Sequence, residues 1–112
     1  TDQETTHIRE AITSWKRRQN QRYKVLKFQV SNGNKWITPD ILCEKLPEIK
    51  DPSTVLYDMA LRNPDDTPRG RGYYKRQRIY PVGYDAKPIL VYNESMGYRI
   101  RSEYFEVISR NI

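Results

Sequence analysis

The apolar positions of this chain change period several times, and each change marks an element. From Gln3 to Arg18, Ile8, Ile12 and Trp15 recur at spacings of four and three with Ala11 beside them, the stripe of an amphipathic helix. Glu4 and Glu10 lie early and Lys16, Arg17 and Arg18 late, which suits the helix dipole at both ends. From Arg22 to Thr38 the pattern fits two elements. Leu26, Phe28 and Val30 alternate with polar residues ahead of Asn32-Gly33, which would make a hairpin, while Tyr23, Leu26 and Val30 also fit a helix closed by Gly33. The reading favoured is a helix to about Ser31 followed by a short strand at Lys35 to Ile37.

The next signals are sharper. Thr38-Pro39-Asp40 is a helix start: a capping hydroxyl, a proline where a missing N–H matters least, and a carboxylate at the positive pole. Ile41, Leu42 and Leu46 face inward and Pro47 ends the element. Asp51-Pro52-Ser53 repeats the start for a helix from Pro52 to Arg62, with Val55, Leu56, Met59 and Ala60 as its buried stripe and Asn63-Pro64 as its stop. Two short capped helices so close together look like a helix-turn-helix. Strands are expected at Tyr73 to Tyr80, Ile89 to Tyr92 and Met96 to Arg101, with turns around Pro81 to Pro88 and at Asn93-Glu94-Ser95. Ser102 is placed as the cap of a last helix that docks Phe105 and Ile108.

At 112 residues the chain suits one domain spanning 1–112, able to bury roughly two thirds of the surface its unfolded form exposes. The formal charge of +6 favours polyanionic partners. Its distribution is uneven: residues 31 to 66 hold four cations against seven carboxylates, whereas residues 67 to 112 hold nine against four. No apolar run approaches the roughly 20 residues needed to span a bilayer, so no membrane partner and a cytoplasmic location are expected. Cys43 is the single cysteine, which excludes an intramolecular disulfide and a cysteine-rich metal site. His7, the single histidine, has no second ligand near it in sequence, and neither a cofactor nor a metal is expected.

The chemistry concentrates between Thr67 and Arg101. In an extended chain Arg76 and Arg78 share one face with Tyr74 and Tyr80, a cationic and aromatic ribbon suited to phosphates and bases. Arg69, Arg71, Lys75 and Lys87 extend the charge, so that residues 67 to 101 read as a basic hairpin. An exposed hairpin kept soluble by its charges is the plainer reading of the same residues.

Helix, short strand, two capped helices and a basic antiparallel hairpin resemble the winged-helix arrangement of DNA-binding domains over roughly residues 20 to 101. Gly97-Tyr98-Arg99-Ile100 is similar to the closing strand of the wing in response-regulator effector domains of the OmpR/PhoB type. The resemblance implies an α+β winged helix, three or four helices with a small antiparallel sheet, acting in DNA binding and transcription regulation. It places the helix from Pro52 to Arg62 in the recognition position, with Ser53, Thr54, Tyr57, Asp58 and Arg62 outward. Asp51, Asp58, Asp65 and Asp66 depart from that pattern, since carboxylates repel phosphates, so the basic hairpin is the expected main contact.

DNA is favoured over RNA, although tyrosines able to stack on unpaired bases keep single strands and RNA open. A protein-interaction module is the rival, because an acidic helical face and a basic hairpin could each dock a protein partner. Catalysis is not expected: no carboxylate or histidine cluster has metal spacing, and no glycine loop ends in Lys-Ser or Lys-Thr.

Overall fold

The computed structural model describes residues 2–60 and 88–112. Among them are five helices and one two-stranded antiparallel sheet, an α+β arrangement: α1 Asp2–Arg18, α2 Gln21–Ser31, α3 Pro39–Lys45, α4 Pro52–Met59, β1 Leu90–Asn93, β2 Gly97–Ile100 and α5 Ser102–Asn111. No helix among the described residues is long and apolar enough to cross a membrane.

The stripe of α1 is buried as its spacing predicts, with Ile8, Ala11, Ile12 and Trp15 almost wholly removed from solvent. It packs on α5, whose Tyr104 and Ile108 are buried and whose Phe105 lies against the core. Gln19, at φ 50°, turns the chain between α1 and α2. Asn20 then caps α2, its side-chain oxygen accepting from the Tyr23 amide at 3.0 Å. The ambiguous stretch is thus a helix. Asn32, Gly33 and Asn34 serve as its C-terminal cap, with Gly33 and Asn34 both at positive φ.

The strand expected at Lys35 to Ile37 is reduced to a single bridge, Ile37 to Tyr98, antiparallel. Two hydrogen bonds make it, Ile37 N to Tyr98 O at 2.8 Å and Tyr98 N to Ile37 O at 2.7 Å. Two residues along the same edge of β2, Asn34 continues the pairing with its side chain. Its amide donates to Ile100 O at 2.9 Å and accepts from Ile100 N at 2.8 Å, so one carboxamide does the work of a neighbouring strand. The other edge of β2 pairs with β1 in the register Leu90↔Ile100, Val91↔Arg99, Tyr92↔Tyr98, Asn93↔Gly97. Gly97 belongs here for a steric reason. It has φ +106°, and a Cβ there would lie 2.8 Å from the Ile37 carbonyl carbon and closer still to its oxygen.

Both short helices start as their sequences predict, with Thr38 Oγ1 accepting from the Ile41 amide and Asp51 Oδ1 from the Thr54 amide, each at 3.2 Å. Helix α4 ends at Met59 with Ala60 as its cap, earlier than the expected Arg62. Ser102 is not a cap: it is the first residue of α5, no side chain caps that helix, and the Ser102 hydroxyl donates to Glu103 Oε1 at 3.0 Å. One apolar cluster joins α1, α2, α3, α4, the sheet and α5. It includes Ile49, from the connection between α3 and α4, which no periodic pattern announces.

Candidate nucleic-acid interface

The outward side of α4 is set by what its other side buries. Leu56, Met59 and Ala60 lie in the core, while Ser53 and Thr54, in the first turn, are exposed and Tyr57 is half-buried. Ser53, Thr54 and Tyr57 therefore share the face that the sequence assigned to recognition. The Thr54 hydroxyl is engaged locally, donating to Asp51 Oδ2 at 2.7 Å. That bond and the Thr54 amide hold the Asp51 carboxyl below its ordinary 3.8.

Asp58 lies to one side of this face. It is half-buried and lines a groove of about 260 Å³ together with Val55 of α4 and Asn20, Gln21 and Arg22 at the start of α2. Burial raises the Asp58 carboxyl above its ordinary 3.8, the Arg22 guanidinium pulls it partly back, and the Asp51 charge adds to the rise. The same Arg22 lies 5.7 Å from the Trp15 ring centroid, so it links α1, α2 and α4. Sequence reasoning did not connect Arg22 with Asp58; only the packing of α2 against α4 does so.

The other predicted contacts, Arg69, Arg71, Tyr74, Lys75, Arg76, Arg78, Tyr80 and Lys87, lie outside the described residues, as does the strand expected at Tyr73 to Tyr80. The described hairpin carries a different surface. Its turn is fixed by the Asn93 side-chain oxygen, which accepts from Ser95 N at 2.9 Å and Met96 N at 3.0 Å. Residues 93 to 96 include Glu94 and no cation, and among the described residues Tyr92 and Met96 are the large hydrophobics left exposed, at 39% and 49%. A second groove of about 230 Å³ runs from Thr38 and Pro39 to this turn; among the described residues Glu94 lines it and no basic residue does, which makes that lining a poor place for a phosphate.

On the hairpin's outer side the Arg99 guanidinium lies 4.3 Å from the Trp36 ring centroid, with Val91 paired to Arg99 beside it. Both Arg99 and Trp36 stay half-exposed, so the guanidinium keeps edges available to an acceptor while its face is stacked. Trp15, by contrast, is a core residue. Cys43 is exposed, His7 is half-buried, and among the described residues no group of three or more His, Cys, Asp or Glu could hold a metal.

Comparison with models of known protein families, with curated proteins and with solved structures yields no match to this chain. The functional reading therefore rests on the site itself.

Proposed function

We propose that this chain is a nucleic-acid-binding domain of winged-helix type, with duplex DNA as its favoured ligand. In this reading α2, α3 and α4 are the three helices, Ile37 is the short strand between the first two, and β1 and β2 are the hairpin. The observation that carries the proposal is the Ile37–Tyr98 bridge. It ties the segment entering α3 to the closing strand of the hairpin, so that a helix pair and a hairpin are held as one unit with the Ser53, Thr54 and Tyr57 face of α4 outward. A hydroxyl can donate to or accept from a base edge, which suits Ser53 and Tyr57, while Thr54 would have to exchange its bond to Asp51. Affinity is assigned mainly to the cations from Arg69 to Lys87, which would contact phosphates, with Tyr74 and Tyr80 beside them.

The test is an equilibrium titration of the chain against duplex DNA, single-stranded DNA and RNA oligonucleotides over a range of salt. Duplex binding in the micromolar range or tighter at low salt is expected, weakening with a log–log slope of about −0.9 per phosphate contacted. Replacing Arg76 and Arg78 together with Ala should weaken binding and flatten that slope by roughly one to two units. Absence of binding to every oligonucleotide at low salt would refute the proposal. Tighter binding to single strands would move it toward base stacking by the tyrosines, worth about 1–3 kcal/mol per base.

A second reading, a protein-docking module, draws on the exposed Tyr92 and Met96 at the hairpin turn, where aromatic and methionine side chains commonly anchor partners.

A further inference from the structure

The corner where α1 passes into α2 holds six cations between Lys16 and Lys27 and no carboxylate. Lys16, Arg17 and Arg18 form the last turn of α1 and are exposed. Lys24, half-buried, and Lys27, exposed, stand three residues apart on α2, away from its buried side of Tyr23, Val25, Leu26 and Gln29. None of these five forms an ion pair within the described residues, whereas Arg22, the sixth, faces Asp58 and stacks near Trp15.

The corner's location gives this charge a direction. Asn20, Gln21 and Arg22, directly after the α1 terminus, line the groove whose far wall is Val55 and Asp58 of α4. The residues that follow the cation-rich turn thus border the helix proposed to face the duplex. Neutralising the negative end of the α1 dipole accounts for cations in the last turn of α1, but not for Lys24 and Lys27 in the middle of α2.

We infer that the α1–α2 corner is a second contact surface for the DNA phosphate backbone, with Lys16, Arg17 and Arg18 gripping phosphates beside α4 and Lys24 and Lys27 extending the track along α2. This inference deepens the proposed function and rests on it. It assigns the extra helix α1, which lies outside the stretch that resembles a winged helix, a part in binding as well as in the core. It also separates the grip from sequence reading, since lysine and arginine contacts to phosphates hold any duplex alike.

The experiment uses the full chain and a fluorescent duplex of about 20 base pairs, with affinity measured over a series of salt concentrations. Two variants are compared with the parent: K16Q/R17Q/R18Q, and K24Q/K27Q, which leaves the α1 terminus intact. The triple variant is expected to bind at least on the order of tenfold more weakly near physiological salt and to flatten the log–log slope by up to about 2.7 units, the double variant by up to about 1.8. A structural role for the α1 terminus would instead lower the thermal midpoint and leave the slope alone. Parent-like slopes in both variants, with the parent itself binding duplex, would overturn the inference and leave the proposed function standing. A parent that binds no nucleic acid at low salt would overturn both.

Discussion

Replacing Gly97 with Ala tests the joint on which the presentation of α4 depends. A Cβ at this position would meet the backbone of Ile37, 2.8 Å from its carbonyl carbon, and peptide atoms cannot swing aside as a side-chain tip can. The segment carrying Ile37 must retreat, and both hydrogen bonds of the Ile37–Tyr98 bridge, now 2.8 and 2.7 Å long, lengthen or break. At a net worth of about 1 kcal/mol each, that is about 2 kcal/mol. An alanine at φ +106° adds at least about 1 kcal/mol of backbone strain. Displacement of Ile37, wholly buried, removes further packing, so the total is about 3–4 kcal/mol. Gly33 supplies the control: its φ is +70°, but nothing lies within 4 Å of a Cβ built there, so Gly33→Ala should lose only the strain, about 1 kcal/mol. Urea or guanidinium unfolding of the two variants against the parent measures the difference. If the two losses agree to within about 0.5 kcal/mol, the close approach of Ile37 is not what selects glycine at position 97, and the reasoning fails.

The remaining predictions concern the second clamp on β2 and the two carboxylates of α4. Asn34→Gly keeps the positive φ but loses both bonds to Ile100 and should destabilise by about 2 kcal/mol; Asn34→Ala adds backbone strain and should lose about 3, again read by denaturant unfolding. The pH dependences of Asp51 and Asp58 should have opposite signs. Asp51 has its carboxyl lowered by Thr54, so its contribution is present above the ordinary 3.8 and lost as pH falls through the lower folded value; the thermal midpoint of Asp51→Asn should trail the parent at pH 7 and converge with it in acid. Asp58 has its carboxyl raised, chiefly by burial, so the folded state holds the proton more tightly and ionisation opposes folding as pH rises past 3.8. The midpoint of Asp58→Asn relative to the parent should therefore be higher at pH 7 than at pH 3, and the reverse order would show that attraction to Arg22 outweighs burial.

How much of this was legible in the sequence follows the range of the interactions. The caps Thr38 and Asp51 act within three residues, so Thr-Pro-Asp and Asp-Pro-Ser disclosed both helix starts. The α1 stripe was equally plain, because a helix repeats its buried face within a few residues. Ser102 misled for a complementary reason: its hydroxyl found the neighbouring Glu103 carboxylate and the helix began one residue sooner. For residues 22 to 38 helix and hairpin both fitted the local spacing, and the helix favoured there is the one observed, while the bonds of Asn34 to Ile100, far along the chain, are visible in neither pattern. Gly97 stands in a Gly-Tyr-Arg-Ile string, but the reason for glycine there is the approach of Ile37, which no local pattern encodes. Of the candidate site, the Ser53, Thr54 and Tyr57 face could be drawn from helical spacing alone; the groove that brings Arg22 near Asp58 could not.

The placement of Asp58 in the groove that Arg22 also lines bears on the charge that α4 presents. Counted along the sequence, Asp51 and Asp58 make the helix acidic and set it against phosphate. In three dimensions each has an internal use: Asp51 turns both oxygens onto Thr54 at the positive end of the helix, and Asp58 sits in the groove beside Arg22. Opposite charge close to a carboxylate weakens the field it projects, and the screening of intervening solvent weakens it further over a Debye length of about 8–10 Å. What remains outward along α4 itself is the uncharged set Ser53, Thr54 and Tyr57, with the exposed and ionised Asp51 at its N-terminal end. A helix with no cation of its own can read a groove only if something else brings the backbone to it, and the cations stand on either side of α4 along the chain: Lys16 to Lys27 before it and Arg69 to Lys87 after it. Under the proposed function, then, specificity and affinity are carried by different parts of the chain. Neutralising the flanking cations should weaken binding to all duplexes by a similar factor, while changes at Ser53 or Tyr57 should alter the preference among them.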